Sequence, residues 1–200
     1  MFMGFVALLI MLTVPLAGGR LLKLADLQVR GIPLLLAALL AQILITDVAT
    51  NAPGAVLSAA HIATYVAAAV VIWLNRRLPG LAILGAGAGL NAAVIALNGG
   101  TLPASASALR SAGIDTGGDF ANSGVVAHPR LGFLGDTMAT PAWLPFRNVI
   151  SVGDIVILLG LFVLVHVMCG SRIGVLLSQF TQRADRSRAI EAHSQPVAAA

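Results

Sequence analysis

Charge is what this chain has least of. Charged residues make up 10% of its 200 residues, against roughly 25% in a soluble domain. That is too few to cover a water-facing surface, which excludes an ordinary soluble domain. Cysteine is nearly missing as well: Cys169 stands alone, so no intrachain disulfide can form. It follows the last apolar run and reads as a small apolar residue at a helix end. Walker-type phosphate loops, G-x-G-x-x-G after a strand and G-x-S-x-G are all missing, so the common nucleotide cradles and the hydrolase nucleophile elbow are not indicated. The N-terminus Met1-Phe2-Met3-Gly4 lacks the basic n-region of a signal peptide. Arg20, Lys23 and Arg30 follow the first apolar run instead, which predicts a retained first helix with its N-terminus outside.

What the chain does have is apolar length. Hydrophobic residues make up 58% and the mean hydropathy is +0.93. The pattern predicts an all-α, polytopic membrane helical bundle of five transmembrane helices, at about 2–17, 32–49, 55–74, 81–97 and 151–168. The first run is short for a bilayer core of ~30 Å at about 1.5 Å per residue. Pro33 sits in the first turn of the second run, where its missing N–H costs nothing. In the fourth run Gly85 and Gly89 form a small-xxx-small pair that lets another helix approach, in this chain or in a membrane partner.

The basic residues choose an orientation. The net charge of +4 does not point to nucleic acid, because the basic residues sit at the ends of apolar runs. Loop one, loop three and the tail hold nine of them, while loop two and the segment 98–150 hold three. The positive-inside rule then places the N-terminus outside and the C-terminus inside. The expected location is a bacterial inner membrane, with the lipid bilayer itself as the first partner. Residues 172–200 read as a basic, disordered cytoplasmic tail, and 98–150 as an extracytoplasmic loop.

That loop carries the candidate chemistry. Residues 104–126, rich in Ala, Ser, Gly and Asp, read as a loose insert. Residues 128–145 alternate apolar residues with Gly and Pro and cannot form a long helix. Ser151-Val-Gly-Asp154 fits a capping box, in which the serine hydroxyl accepts from the third helical N–H and Asp154 accepts from the Ser151 N–H. The other reading of Asp154 turns it inward to meet Asp136 or the Asn98 end of helix four. Asn91 and Asn98, seven residues apart, share nearly one helix face.

The order N-G-G-T-L-P from Asn98, H-x-R-L from His128, L-G-D ending at Asp136 and N-V-I-S-V-G-D-I from Asn148 resembles a bacterial membrane family catalogued as domain of unknown function 5317. The resemblance covers Asn91 to Gly160. It implies a topology and a polar cluster at Asn98, His128, Asp136, Ser151 and Asp154, but no chemistry and no cofactor.

Three functions follow as expectations. The first is a non-enzymatic module whose outward polar cluster binds a small ligand, a lipid head group or a protein. The second is a transporter or channel component, although Gln42, His61, Asn91 and His166 are the only polar groups at mid-span depth and none is a carboxylate. The third is an intramembrane aspartyl hydrolase using Asp136 and Asp154. R-N-V-I-S-V-G-D is faintly similar to the F-N-x-A-D element of lipoprotein signal peptidases, whose N-x-x-D-R element has no counterpart here. No metal-ligand spacing is recognisable around His128.

Overall fold

A computed structural model describes residues 2–45, 54–114, 123–141, 143–144 and 146–180; the side chain of His61 lies outside this set. The architecture is all-α. Helices α1 (Phe2–Leu16), α2 (Ile32–Ile43), α3 (Gly54–Leu74), α4 (Leu81–Leu97) and α6 (Val152–Met168) form the body. A short helix α5 (Ala106–Ala112) and two-residue strands β1 (Leu102–Pro103), β2 (Ser123–Gly124), β3 (Met138–Ala139) and β4 (Val149–Ile150) fold the segment between α4 and α6. β1 and β2 pair in parallel, β3 and β4 antiparallel.

Two expectations need correction. The part of the insert written as loose contains α5, capped by Ser105, with Ala108, Leu109 and Ala112 buried against Val149. Here an Ala-rich stretch has an apolar face that finds a partner, so composition alone misread it. The tail does not begin as disordered chain either: Arg172–Phe180 is a helix, α7, bent 106° from α6. Ser171 caps it, its hydroxyl accepting from the Gly174 N–H at 3.0 Å. Residues 181–200 lie outside the described set.

Among the described residues, no single helix is long and apolar enough to cross a membrane, although α6 and α7 pass that test as a bent pair. Phe2–Leu16, Ile32–Ile43, the Ile62–Leu74 part of α3 and Leu81–Leu97 are apolar but shorter. A 17-residue helix rises about 25 Å, less than a core of ~30 Å. Their outer faces are strongly apolar all the same. Leu8, Leu12, Leu36, Leu39, Leu40, Ile62 and Val66 are all more than half exposed.

The most extensive interface joins α4 and α6, and glycine makes it possible. A Cβ on Gly87 would stand 2.6 Å from the Gly153 carbonyl oxygen and 2.7 Å from the Ile157 nitrogen. A Cβ on Gly160 would strike the backbone of Leu84, and one on Gly80 the carbonyl of Gly160. The residue order of these contacts makes the two helices antiparallel. The pair singled out from sequence plays a lesser part within the chain. Gly85 packs only on the Ile72 side chain of α3, and nothing lies within 4 Å of a Cβ on Gly89.

At the opposite end from the folded segment, α1 meets α6 through Val14, Val165 and Cys169. There the fully buried His166 faces Thr13 Oγ1 at 3.0 Å and Ser171 Oγ at 2.7 Å. Asn75, one residue past α3, binds the backbone of Arg30: Asn75 Nδ2 donates to its carbonyl and Oδ1 accepts from its N–H, both at 2.8 Å.

Gly160→Leu is expected to lower the unfolding midpoint sharply, because overpacking here meets backbone and costs about 1–3 kcal/mol or more. Gly89→Ala should be neutral or stabilising by up to ~1 kcal/mol, the helix-propensity difference. Thermal unfolding of the purified variants decides between these outcomes.

Candidate functional site

The site begins with Asn91, in the middle of α4 opposite Gly153 of α6. A Cβ on Gly153 would collide with Asn91 Oδ1, so the glycine leaves room for the amide. Asn91 Oδ1 accepts from Ser151 Oγ at 2.8 Å, and Asn91 Nδ2 donates to Asp154 Oδ1 at 2.9 Å. Asp154 Oδ2 accepts from the Ser151 N–H at 3.1 Å, and Ser151 Oγ accepts from the Asp154 N–H at 3.0 Å, closing the capping box. Asp154 is therefore both the helix cap and part of an interhelical network.

Asp136 is brought in by its backbone. Its N–H donates to the Pro103 carbonyl and its own carbonyl accepts from the Ser105 N–H, both at 2.9 Å. The L-G-D motif thereby lies alongside β1 of the N-G-G-T-L-P motif, as a bridge at Ala104. Gly135 is required for this, because a Cβ would meet the Pro103 carbonyl.

Between these elements lies a cavity of ≈ 370 Å³. Its polar lining is Tyr65, Asn91, Ser123, Asp136, Asn148 and Asp154. Ile95, Leu102, Val149 and Ile157 supply apolar walls. No basic residue is among the lining residues described. Asp136 is 5% exposed and Ser123 6%. Asp136 Oδ1 and Ser123 Oγ are both buried without a hydrogen-bond partner. Such groups are rare in folded proteins and each calls for a specific reason.

Burial pushes the Asp136 carboxyl up to about 6, the nearby Ser123 opposes the shift, and the charge of Asp154 adds to it. Ser123 sits close enough to exert this influence, yet its hydroxyl completes no hydrogen bond of acceptable geometry. The two carboxyls thus occupy contrasting environments. Asp154 accepts from two donors, whereas Asp136 has been stripped of water.

The structure brings Asp136 and Asp154 to one cavity, with Ser151 directly behind. It leaves Asn98 and His128 out of the lining. Asn98 Oδ1 accepts from the Arg130 N–H and its Nδ2 donates to the Arg130 carbonyl, both at 2.8 Å. It fastens the 128–131 stretch to the end of α4, as Asn75 fastens Arg30. His128 is exposed. Among the described residues, no three His, Cys, Asp or Glu side chains group as a metal site would need.

The segments that line the cavity fall within a family match. The model of a family of unknown function, DUF5317, matches residues 26–166. This chain belongs to that family. A Thermotoga maritima protein, itself described as uncharacterised, is 34% identical over 94 residues, covering 46% of this chain and 53% of that relative. The chain thus spans about half the length of the curated relative it matches. No solved structure matches. Membership therefore brings no activity with it, and the geometry must carry the functional argument.

Asn91 shares the Asn98 face of α4 but lies outside the polar cluster expected from the motifs. An asparagine amid G-A-G-A-G-L-N on an apolar helix was the available signal. Asn148 stood inside a quoted motif. Ser123 and Tyr65 carried no signal, since only the fold places them here.

The raised Asp136 value sets a pH dependence. Folding favours its protonated form, so this stabilisation is whole below the ordinary value of 3.8 and is lost as pH rises through about 6. Wild-type protein should melt at a lower temperature at pH 7.5 than at pH 4.5 by more than Asp136→Asn does. Equal pH slopes for the two proteins would contradict this.

Proposed function

We propose that this chain is a multi-pass bacterial inner-membrane protein of five spans, N-terminus outside, that presents the Asp136–Asp154 cavity outward as a binding site for a small ligand. The observation that carries the ligand reading is one carboxyl oxygen, Asp136 Oδ1, and one hydroxyl, Ser123 Oγ, on residues more than nine-tenths buried, both unpartnered and lining a cavity beside a second carboxylate. Stranded groups of this kind cost about 1–3 kcal/mol each, a cost that a bound donor offsets.

The membrane part of the reading rests on three supports. Exposed leucine, isoleucine and valine cover the outer faces of α1, α2 and α3, a surface that lipid suits and water does not. Among the described residues, Arg20, Lys23, Arg30, Arg76, Arg77 and Arg172 lie at the end of the bundle remote from the cavity, against Arg110, Arg130 and Arg147 in the segment that builds it. Polar groups and irregular backbone gather at the other end, in a folded cap whose backbone groups pair with one another at Pro103, Ser105, Asp136, Thr140 and Asn148. Helices somewhat shorter than the hydrocarbon core are accommodated by local thinning of the bilayer.

In a Cys169→Ser background, His128→Cys should react with a membrane-impermeant maleimide on intact spheroplasts. Arg77→Cys should react only after permeabilisation. The reverse pattern would overturn the orientation, and reaction of both would overturn the spans. For the ligand, a thermal-shift screen of small amines, alcohols, acids and sugars should find compounds that stabilise wild type more than Asp136→Asn. A screen in which none does so refutes a ligand site here.

One observation favours a second reading, an aspartyl hydrolase. Two carboxyls with opposed environments in one cavity are the arrangement that acid–base chemistry uses, one protonated and one charged. Asp136 would then be the acid and Asp154 the base. If so, Asp136→Asn and Asp154→Asn each abolish cleavage of a membrane-anchored peptide substrate, by about 10²-fold or more. Unchanged processing in either variant excludes it.

A further inference from the structure

The polar cavity has an apolar neighbour. A second cavity of ≈ 560 Å³ runs between α3 and α4, and Tyr65 and Ala88 line both. Much of its wall is small, with Ala68, Ala69, Gly85, Gly89 and Ala92 lining it beside Ile72. Gly89 contributes no atoms to fill it. At the far end stand Trp73 and Arg76, the guanidinium lying 4.4 Å from the indole centroid. From Tyr65 to Trp73 the helix rises about 12 Å, which is the span of an extended alkyl chain rather than of a compact metabolite.

We propose that the two cavities form one site for a single-chain amphiphile with an organic ammonium head, the head lying between Asp136 and Asp154 and the alkyl chain in the α3–α4 groove. This rests on the reading of the Asp136 cavity as a ligand site and names the ligand class.

The chemistry of the head follows from what is left unmatched. Asp154 already accepts from Asn91 and Ser151, while Asp136 Oδ1 and Ser123 Oγ have no partner. An ammonium brings three donors and a positive charge. It satisfies the stranded oxygens and answers the field of two carboxyls in a lining without basic residues. An anionic head would add like charge to a desolvated pocket. A multivalent metal ion would need more carboxylate or imidazole ligands than the described residues group together.

The chemistry of the chain follows from the groove. Alanine and glycine on both helices leave an apolar slot, walled also by Ile72. Arg76 closes it over Trp73.

Binding should also depend on pH. The groups facing Asp136 are Asp154 on α6, Ser123 on β2 and Tyr65 on α3. The empty carboxyl, pushed up to about 6 by burial, must release its proton to receive an ammonium. Affinity should therefore rise between pH 5 and pH 7.5.

The test uses the full chain in phosphatidylcholine nanodiscs, with thermal unfolding followed during titration by butylammonium, dodecylammonium, dodecanol and dodecanoate. Dodecylammonium is expected to raise the wild-type midpoint, and the other three to do so at least tenfold less effectively. Asp136→Asn and Ser123→Ala should each weaken dodecylammonium, the first by about tenfold or more. Gly89→Leu should weaken dodecylammonium while leaving butylammonium unaffected. Equal response to dodecanol, undiminished in Asp136→Asn, overturns the ammonium head while leaving a ligand site in place. Equal response to butylammonium and dodecylammonium overturns the groove. No response to any of the four probes, together with a silent small-molecule screen, overturns the ligand site itself.

Discussion

The close antiparallel approach of α4 and α6 is the constraint on which the remaining structure depends. Gly80, Gly87, Gly153 and Gly160 bring two backbones to within a side chain's thickness of each other. In the membrane reading, lipid offers no hydrophobic force to drive helices together, so packing and interhelical hydrogen bonds must hold them. Both are found at one spot. The missing Cβ of Gly153 is the space in which the Asn91 amide sits, and that amide ties Ser151 and Asp154 across the interface. A larger residue at Gly153 would remove contact and hydrogen bonds together. The charged wall of the cavity is therefore held in place by the same glycines that pack the helices.

The opposite wall is built by quite different means. Asp136 sits in an irregular stretch, and its place is set by backbone pairing to Pro103 and Ser105. Thr140 holds the next turn, its hydroxyl accepting from the Asn148 N–H and donating to the Asn148 carbonyl. Asn98 holds the preceding one at Arg130. Short side chains that bind backbone thus replace regular secondary structure. The cost is concentrated at Asp136 and Ser123, where rigid backbone keeps two polar groups dry and unmatched. A fold that satisfies its polar groups so fully elsewhere makes that pair the natural centre of a functional argument.

The motifs read from the sequence meet in space. The N-G-G-T-L-P, L-G-D and N-V-I-S-V-G-D-I motifs are far apart along the chain, yet they converge as β1, the Asp136 bridge and the start of α6. The glycines within them serve contacts: Gly135 clears the Pro103 carbonyl and Gly153 clears Asn91. His128 and Asn98 belong to the same motifs but serve the cap and not the cavity. A motif therefore marks a region of shared construction, and its residues divide between building the site and lining it.

Apolar runs and their breakers determined, by themselves, where α1, α3, α4 and α6 lie, because glycine, proline and charge interrupt a helix for local reasons. The Ser151–Asp154 capping box was equally local and equally legible. The distribution of basic residues determined an expected orientation for the same kind of reason. Tertiary structure alone decided which glycines pack. Gly85 and Gly89 have the familiar spacing, but Gly87 and Gly160 have the neighbouring helix. It alone turned an Ala-Ser stretch into α5, since a weak helix becomes stable only when something buries its face. It alone placed Ser123 and Tyr65 beside Asp136 and Asp154, residues from three separate elements and one irregular stretch. Spacing along a chain carries no information about such convergence until the backbones have been packed.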